Sequence, residues 1–270
     1  MNARDLITLQ NVKDWLNTSG VTYPTTSDAL ISRLVTAVSL FAGSYLQRQL
    51  QPASYSDVYN GLDTTSITLK NNPVISVASV TIGTSAILPR TGVGSSGYVF
   101  DASSLFYDGG GRFCRGIQNV AVSYKAGYQT ADMVTVPATP YIVSVTALSR
   151  AWNSDQGVTY ASSGAALTPV SVSPTVTGTY QVKADTSGTA EYVFAAGDTG
   201  ASVFIVYGYT PEDVVQALVE MVGESYKRRE RIGEVSKVIG PGTTVSFSRL
   251  DMNESIRTLL NPYRQVVPIQ

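Results

Sequence analysis

The 270-residue sequence has no histidine and one cysteine, Cys114. The first absence removes the commonest general base and metal ligand, and the second excludes an internal disulfide. Charge is also scarce: 14% of residues are Asp, Glu, Lys or Arg, and a net charge of −1 excludes an overall basic nucleic-acid binder. No run of 18 consecutive apolar residues occurs, and "MNARDLITLQ" lacks the order of a secretory leader. These absences lead to the expectation of a soluble product made in the cytoplasm, with no membrane partner and no cofactor. The acceptor-like triplets at Asn17 and Asn253 are then silent.

Gly, Ser, Thr, Val and Tyr are abundant. The length exceeds the ~100 to 200 residues of one usual domain, so two units with separate cores are expected. Near the start, Thr8 is placed to cap a helix carrying Leu9, Val12, Trp15 and Leu16 on one face. A second helix is predicted from about Ser27 to Leu50, its broad apolar stripe running from Leu30 through Phe41 to Leu46. From 55 to 125 the pattern becomes short alternating runs separated by turn residues, as hairpins require. "DGGGR" at 108–112 reads either as a hairpin turn or as a phosphate loop, and turn chemistry favours the hairpin. Asp57, Asp63, Asp101 and Asp108 in this region read as turn formers, and no pattern joins them into an acid/base pair or a calcium loop.

Between about 133 and 206 six short β-like runs follow one another, from "YIVSVTAL" to "ASVFIVY", which implies a small all-β sandwich. Trp152, Tyr160 and Tyr180 in this stretch read as core residues, or alternatively as a carbohydrate platform. Thr210 and Pro211 then announce a helix, with Glu212 and Asp213 against its positive start. Val214, Val215, Leu218, Val219 and Val222 form its stripe, Gly223 interrupts it at a cost of about 1 kcal/mol against Ala, and Gly233 is its expected stop. Its end carries Lys227, Arg228, Arg229 and Arg231, which permit three readings: a solvated helix end, a charge contact to a partner or neighbouring copy, or a DNA contact. A Gly/Ser/Thr-rich connection leads to a last short helix, about Asn253 to Leu260, and an extended tail.

The first two helices, the "LKNNPVISVASVTI" region, the "VSYKAGY" strand, the Pro-initiated helix ending in "YKRRERIGE" and the closing "IRTLLNPYR" occur in an order that resembles the phage head-to-tail connector family, also called adaptor or head-completion proteins. In that family the Ala-Gly-Tyr strand runs within a few residues into Pro and the next helix. Here the helix begins only after Tyr207-Gly208-Tyr209. The resemblance therefore implies an α+β fold: a discontinuous connector core with β-hairpins, 1–132 plus 207–270, interrupted by an Ig-like domain at 133–206. It also implies a non-enzymatic virion protein of the neck, present as a ring of about twelve copies. Its partners would be the portal protein, a tail or stopper protein, and double-stranded DNA passing through the lumen without sequence-specific binding. A tail or baseplate protein and a carbohydrate-binding surface module are the alternatives. The stretch that corresponds to the family's portal-reaching segment includes Tyr263, Arg264, Val266, Val267, Pro268 and Ile269.

Overall fold

The structure is a computed structural model and describes residues 5–17, 24–184, 190–229, 236–240, 243–246 and 252–265. Thr8 caps helix α1 (Leu9–Asn17) as its position implies. Its Oγ1 accepts the Asn11 backbone N–H at 3.0 Å, and Asn11 Oδ1 accepts the Thr8 N–H at 2.9 Å. This reciprocal cap satisfies a helix donor and fixes the entering chain. Helix α2 (Asp28–Leu46) stops four residues before Leu50, because Gln47 turns left-handed at φ 56°. Its buried stripe is Ile31, Val35, Val38, Ala42 and Leu46. Phe41, expected in that stripe, is 42% exposed beside Leu40 at 47%. The stripe was wider than one helix face can bury, and its excess points outward.

Helix α3 (Glu212–Arg228) starts one residue later than Pro211, which occupies the cap position with φ −55° and ψ 139°. Thr210 does not cap it. The buried Thr210 hydroxyl instead donates to the Leu6 carbonyl at 2.8 Å, tying the N-terminal segment to the helix entry. The expected stop at Gly233 lies outside the described residues. Helix α4 (Glu254–Leu260) packs on α3, and the four helices share one core with Leu6 and Ile7. Thr25–Leu46, with mean hydropathy 1.5, is long and apolar enough to cross a membrane by length and composition alone; a third of its most apolar window is buried here.

Gly223 has a close neighbour. A Cβ there would come within 3.0 Å of Trp15 Cη2 and closer still to Cζ3, so α1 and α3 cross where only hydrogen fits. Gly223→Ala should gain helix propensity yet lose net stability, by about 1 to 2 kcal/mol, because overpacking against a rigid indole exceeds that gain. Chemical denaturation followed by fluorescence should show the loss together with a red-shifted Trp15.

Seven strands follow α2: β1 (Ala53–Gly61), β2 (Ser66–Thr68), β3 (Val74–Ile82), β4 (Ser85–Ile87), β5 (Gly97–Phe100), β6 (Ser104–Asp108) and β7 (Gly116–Ala126). They form two sheets, ordered β1-β7-β3-β4 and β2-β6-β5. Sequence-adjacent hairpins occur at β3–β4 and β5–β6, but β1 pairs with distant β7. The alternation of Val120, Val122, Tyr124 and Ala126 buries one face of β7 and makes it a central strand. "DGGGR" is not a hairpin turn: it leads from β6 towards β7, strands of different sheets. Gly109 and Gly110 take φ 79° and 81° there, and Asp108 Oδ1 accepts the Gly109 N–H.

Next come β8 (Gln129–Thr135), β9 (Ile142–Ser144), β10 (Trp152–Tyr160), β11 (Thr168–Pro169), β12 (Thr179–Ala184), β13 (Ala190–Phe194) and β14 (Ser202–Tyr209). The six expected runs became β9 to β14; β8 was unforeseen, since "QTADMVTVP" read as a link. The sheets are β10-β14-β8 and β11-β12-β13-β9, and their buried core draws only on residues between Val136 and Tyr207. The Gly/Ser/Thr-rich connection after α3 is itself a hairpin, β15 (Ser236–Gly240) with β16 (Thr243–Ser246).

Candidate functional site

The three cores meet at a junction built from two similar stretches, "KAGY" ending at Tyr128 and "VYGY" ending at Tyr209. Between them the chain leaves β7 for β8, and after β14 it returns to α3. The Tyr209 N–H donates to the Tyr128 carbonyl at 3.1 Å, so exit and return lie side by side. Their rings meet edge-on with centroids 5.7 Å apart. The Tyr128 N–H donates to Leu50 O at 2.9 Å, which fixes this pair to the chain leaving α2.

Both glycines are required by contact. Gly127, at φ 133°, would place a Cβ 2.7 Å from the Gln51 carbonyl and Pro52 Cα. Gly208 would place one 2.6 Å from Pro52 Cδ and from Asn153 Oδ1. Three backbone segments thus cross at Pro52, and the repeated Gly-Tyr is what lets them. Arg48 braces the crossing: its Nη2 donates to Tyr128 Oη at 3.0 Å, and its Nη1 donates to Asn72 Oδ1. A cleft of about 480 Å³ lies alongside, lined in part by Leu6, Leu40, Gly43, Arg48 and Tyr55.

The segment after α4 closes over the same junction. The Tyr263 ring lies 5.9 Å from that of Tyr128, and its hydroxyl donates to Asp213 Oδ2 at 3.2 Å. Burial, then the Asp213 charge, raise the Tyr263 phenol pKa. The Arg264 guanidinium lies 5.5 Å from the Tyr45 ring centroid, and the Gln265 N–H donates to Leu46 O at 2.9 Å. Tyr263 and Arg264 are therefore held by their own chain. Val266, Val267, Pro268 and Ile269 lie outside the described residues.

At the far end of α3 the cations are separated by their aromatic neighbours. The Lys227 ammonium lies 5.4 Å from the Trp15 ring centroid, and the Arg229 guanidinium sits over Tyr226 at 3.6 Å. Arg228 is exposed, and Arg231 lies outside the described residues. Arg33 of α2, which sequence spacing did not connect to this group, lines one groove with Arg228 and Arg229.

The four aspartates of the hairpin region do not converge. Asp57 lies in β1 and accepts the Tyr124 hydroxyl at 2.7 Å, so it is not a turn former. Asp63 has φ 59°, Asp108 pairs with Arg90, and Asp101 accepts the N–H groups of Ser103 and Ser104. Those backbone donors hold the Asp101 carboxyl below its ordinary pKa. Among the described residues no group of three or more metal-ligating side chains occurs.

Carboxylates that sequence reasoning overlooked organise the two-sheet unit. Asp155 accepts the hydroxyls of Tyr180 at 2.7 Å and Tyr192 at 3.0 Å, while Trp152 Nε1–H donates to Tyr192 Oη. Asp198 is buried and accepts the Tyr160 hydroxyl and the Gly178 N–H. The aromatics Trp152, Tyr160 and Tyr180 all pack on this core and turn their polar ends to internal partners. Burial first, and the Asp198 hydrogen bond second, push the Tyr160 pKa up to about 12. Burial and Asp155 likewise raise Tyr180 and Tyr192.

These shifts carry a sign. A phenol that binds its proton more tightly when folded adds stability below its unfolded pKa of 10.0, and that stability disappears as pH rises through the folded value. The thermal midpoint of this unit should hold up to about pH 10 and fall steeply towards about pH 12. Tyrosinate absorbance and near-UV circular dichroism should change together; full tyrosine ionisation near pH 10 with unchanged melting would contradict the assignment.

No family model matches the chain, and no curated protein matches it. Among solved structures, it is similar to a chain from the neck of an empty GTA particle, at 11% identity and a TM-score of 0.32, over 97% of this chain and 90% of that one. A likeness at this level carries no argument about fold or function.

Proposed function

We propose that this chain is a non-enzymatic virion protein, a head-to-tail connector that forms a ring beneath the portal and continues the DNA channel towards the tail. In this reading an Ig-like sandwich is inserted into the connector core. In the proposal the insertion takes in all of β8 and β14, 129–209, a wider span than the 133–206 read from sequence. The order of elements outside the insertion supports the family resemblance. The inward-facing aromatics support a structural role for the guest over glycan binding.

One observation carries the assembly. The outward face of α2 exposes Ala37, Leu40 and Phe41 at helical spacing, although the opposite face already fills the helical core. A contiguous exposed apolar face marks a protein contact, and side-by-side packing of copies would cover it. Purified protein should form rings of about twelve copies by negative-stain imaging and mass measurement. Leu40→Glu combined with Phe41→Glu should give a folded monomer. Wild-type protein that stays monomeric at high concentration would contradict the proposal.

A further inference from the structure

The sequence holds one Asn-Gly pair, Asn60-Gly61, and one Asp-Gly pair, Asp108-Gly109. Both are chemically open to ring closure, because a glycine leaves the following amide nitrogen unscreened by a side chain and its backbone free to turn. The fold treats the two oppositely. At Asn60-Gly61 the groups that would have to meet are bound to other partners: the Gly61 N–H donates to Asn119 Oδ1 at 2.8 Å, and Asn60 Oδ1 accepts the Gln118 N–H at 2.8 Å. Asn119 is itself fixed, its Nδ2 donating to the Cys114 carbonyl at 2.8 Å.

Asp108 ends β6 with its side chain 48% exposed. Its Oδ1 accepts the N–H of Gly109 at 2.7 Å, so the carboxyl is folded back onto the one amide that can attack it. Arg90 pairs with Oδ2 and holds the group in that pose. Gly109 and Gly110 take φ 79° and 81°, and nothing lies within 4 Å of a carbon added at Gly110, so the chain beyond has room to turn.

We infer that Asp108 is a site of spontaneous covalent modification, conversion to isoaspartate, and that the fold protects Asn60 from the equivalent reaction. The Gly109 nitrogen bonds to Asp108 Cγ, and one carboxyl oxygen leaves as water with the amide proton and the acid proton, closing a succinimide. Water then adds at the Asp108 main-chain carbonyl and breaks its bond to the Gly109 nitrogen. The main chain now runs through the former side chain, and the freed α-carboxylate restores the charge. Neither oxidant nor cofactor takes part, and the reaction does not depend on the connector reading. Holding nitrogen and carboxyl together supplies the proximity that the unfolded chain must find by chance. The product carries one extra main-chain carbon at the end of β6, which shifts the carboxylate relative to Arg90.

The test incubates the full chain for weeks at body temperature and neutral pH, folded and in denaturant, followed by trypsin digestion and mass spectrometry. An isoaspartate-specific methyltransferase reads the peptide 91–112, and the amide-to-acid mass change reads the peptide 49–70. In the folded protein isoaspartate should accumulate at Asp108 at least as fast as in denaturant, while deamidation of Asn60 should be slowed by about tenfold or more. Asp108→Glu, which keeps a carboxylate for Arg90 but disfavours the five-membered ring, should abolish the signal in 91–112. Asn119→Ala, checked for an unchanged far-UV spectrum, frees the Gly61 N–H and should raise deamidation of Asn60. Folded protein in which Asp108 converts about tenfold more slowly than in denaturant, or in which Asn60 deamidates as fast as in denaturant, would overturn the inference.

Discussion

Gly127→Ala is expected to lower the thermal midpoint of the protein by roughly 10 °C, from a loss of about 3 kcal/mol or more. Two causes add at this position. A φ of 133° disfavours every L side chain, and the new Cβ would press on the Gln51 carbonyl and Pro52 Cα, which are backbone or ring-bound atoms that cannot rotate away. Gly208→Ala should cost less, about 1 to 2 kcal/mol, because two of its three contacts are the ends of the Ser154 and Asn153 side chains. Gly43→Ala is the control. It lies inside α2 with nothing within 4 Å of the added carbon, so it should stabilise by up to about 1 kcal/mol. Differential scanning calorimetry should rank the variants Gly43→Ala, wild type, Gly208→Ala, Gly127→Ala from most to least stable. Equal melting of Gly127→Ala and wild type would remove the crossing at Pro52 from the account.

The second large effect concerns what can be taken away. Deleting residues 129–208 and joining Tyr128 to Tyr209 by a short Gly-Gly linker should leave a folded helical core, since the two ends are already hydrogen-bonded to each other. Among the described residues, the helical core and the β1–β7 core bury no residue from the deleted stretch, and the fully buried residues of that stretch's core all come from within it, with Tyr209 packed at its edge. Residues 129–209 expressed alone should likewise melt cooperatively, with the Asp155 and Asp198 networks intact. Far-UV circular dichroism of the deletion protein should retain the helical signal of α1 to α4, and rings should still form. Loss of the helical signal would show that the cores are not independent.

Helices and strand runs were largely legible in the sequence because local chemistry decides them. Thr8 capped α1, the charges at both ends of α3 matched its dipole, and the six β-like runs of the central stretch became β9 to β14. What long-range contact decides was not legible. The pairing of β1 with β7 depends on residues some sixty positions apart, and β8 becomes a strand by lying along β14. Thr210 looked like a cap in isolation, yet Leu6 claims its hydroxyl. Arg33 joined Arg228 and Arg229 only through the packing of α2 on α3. One signal was present and underused: an α2 stripe from Leu30 to Leu46 too broad for one buried face already implied a second, outward contact.

The repeated Gly-Tyr has a physical cause that spacing could not supply. Each copy passes the same proline, once where the chain leaves β7 and once where it returns to α3. Tyr128, Tyr209 and Tyr263 cluster over this crossing.

The most direct test of the connector proposal is a side-chain-resolution reconstruction of the neck of the virus particle in which the proposal places this chain. The account predicts a ring directly beneath the portal, with the outward α2 face bearing Leu40 and Phe41 buried between copies and the 129–209 unit projecting from each. Density for the chain in a baseplate or on the capsid surface, or a neck ring with Leu40 and Phe41 facing solvent, would contradict it.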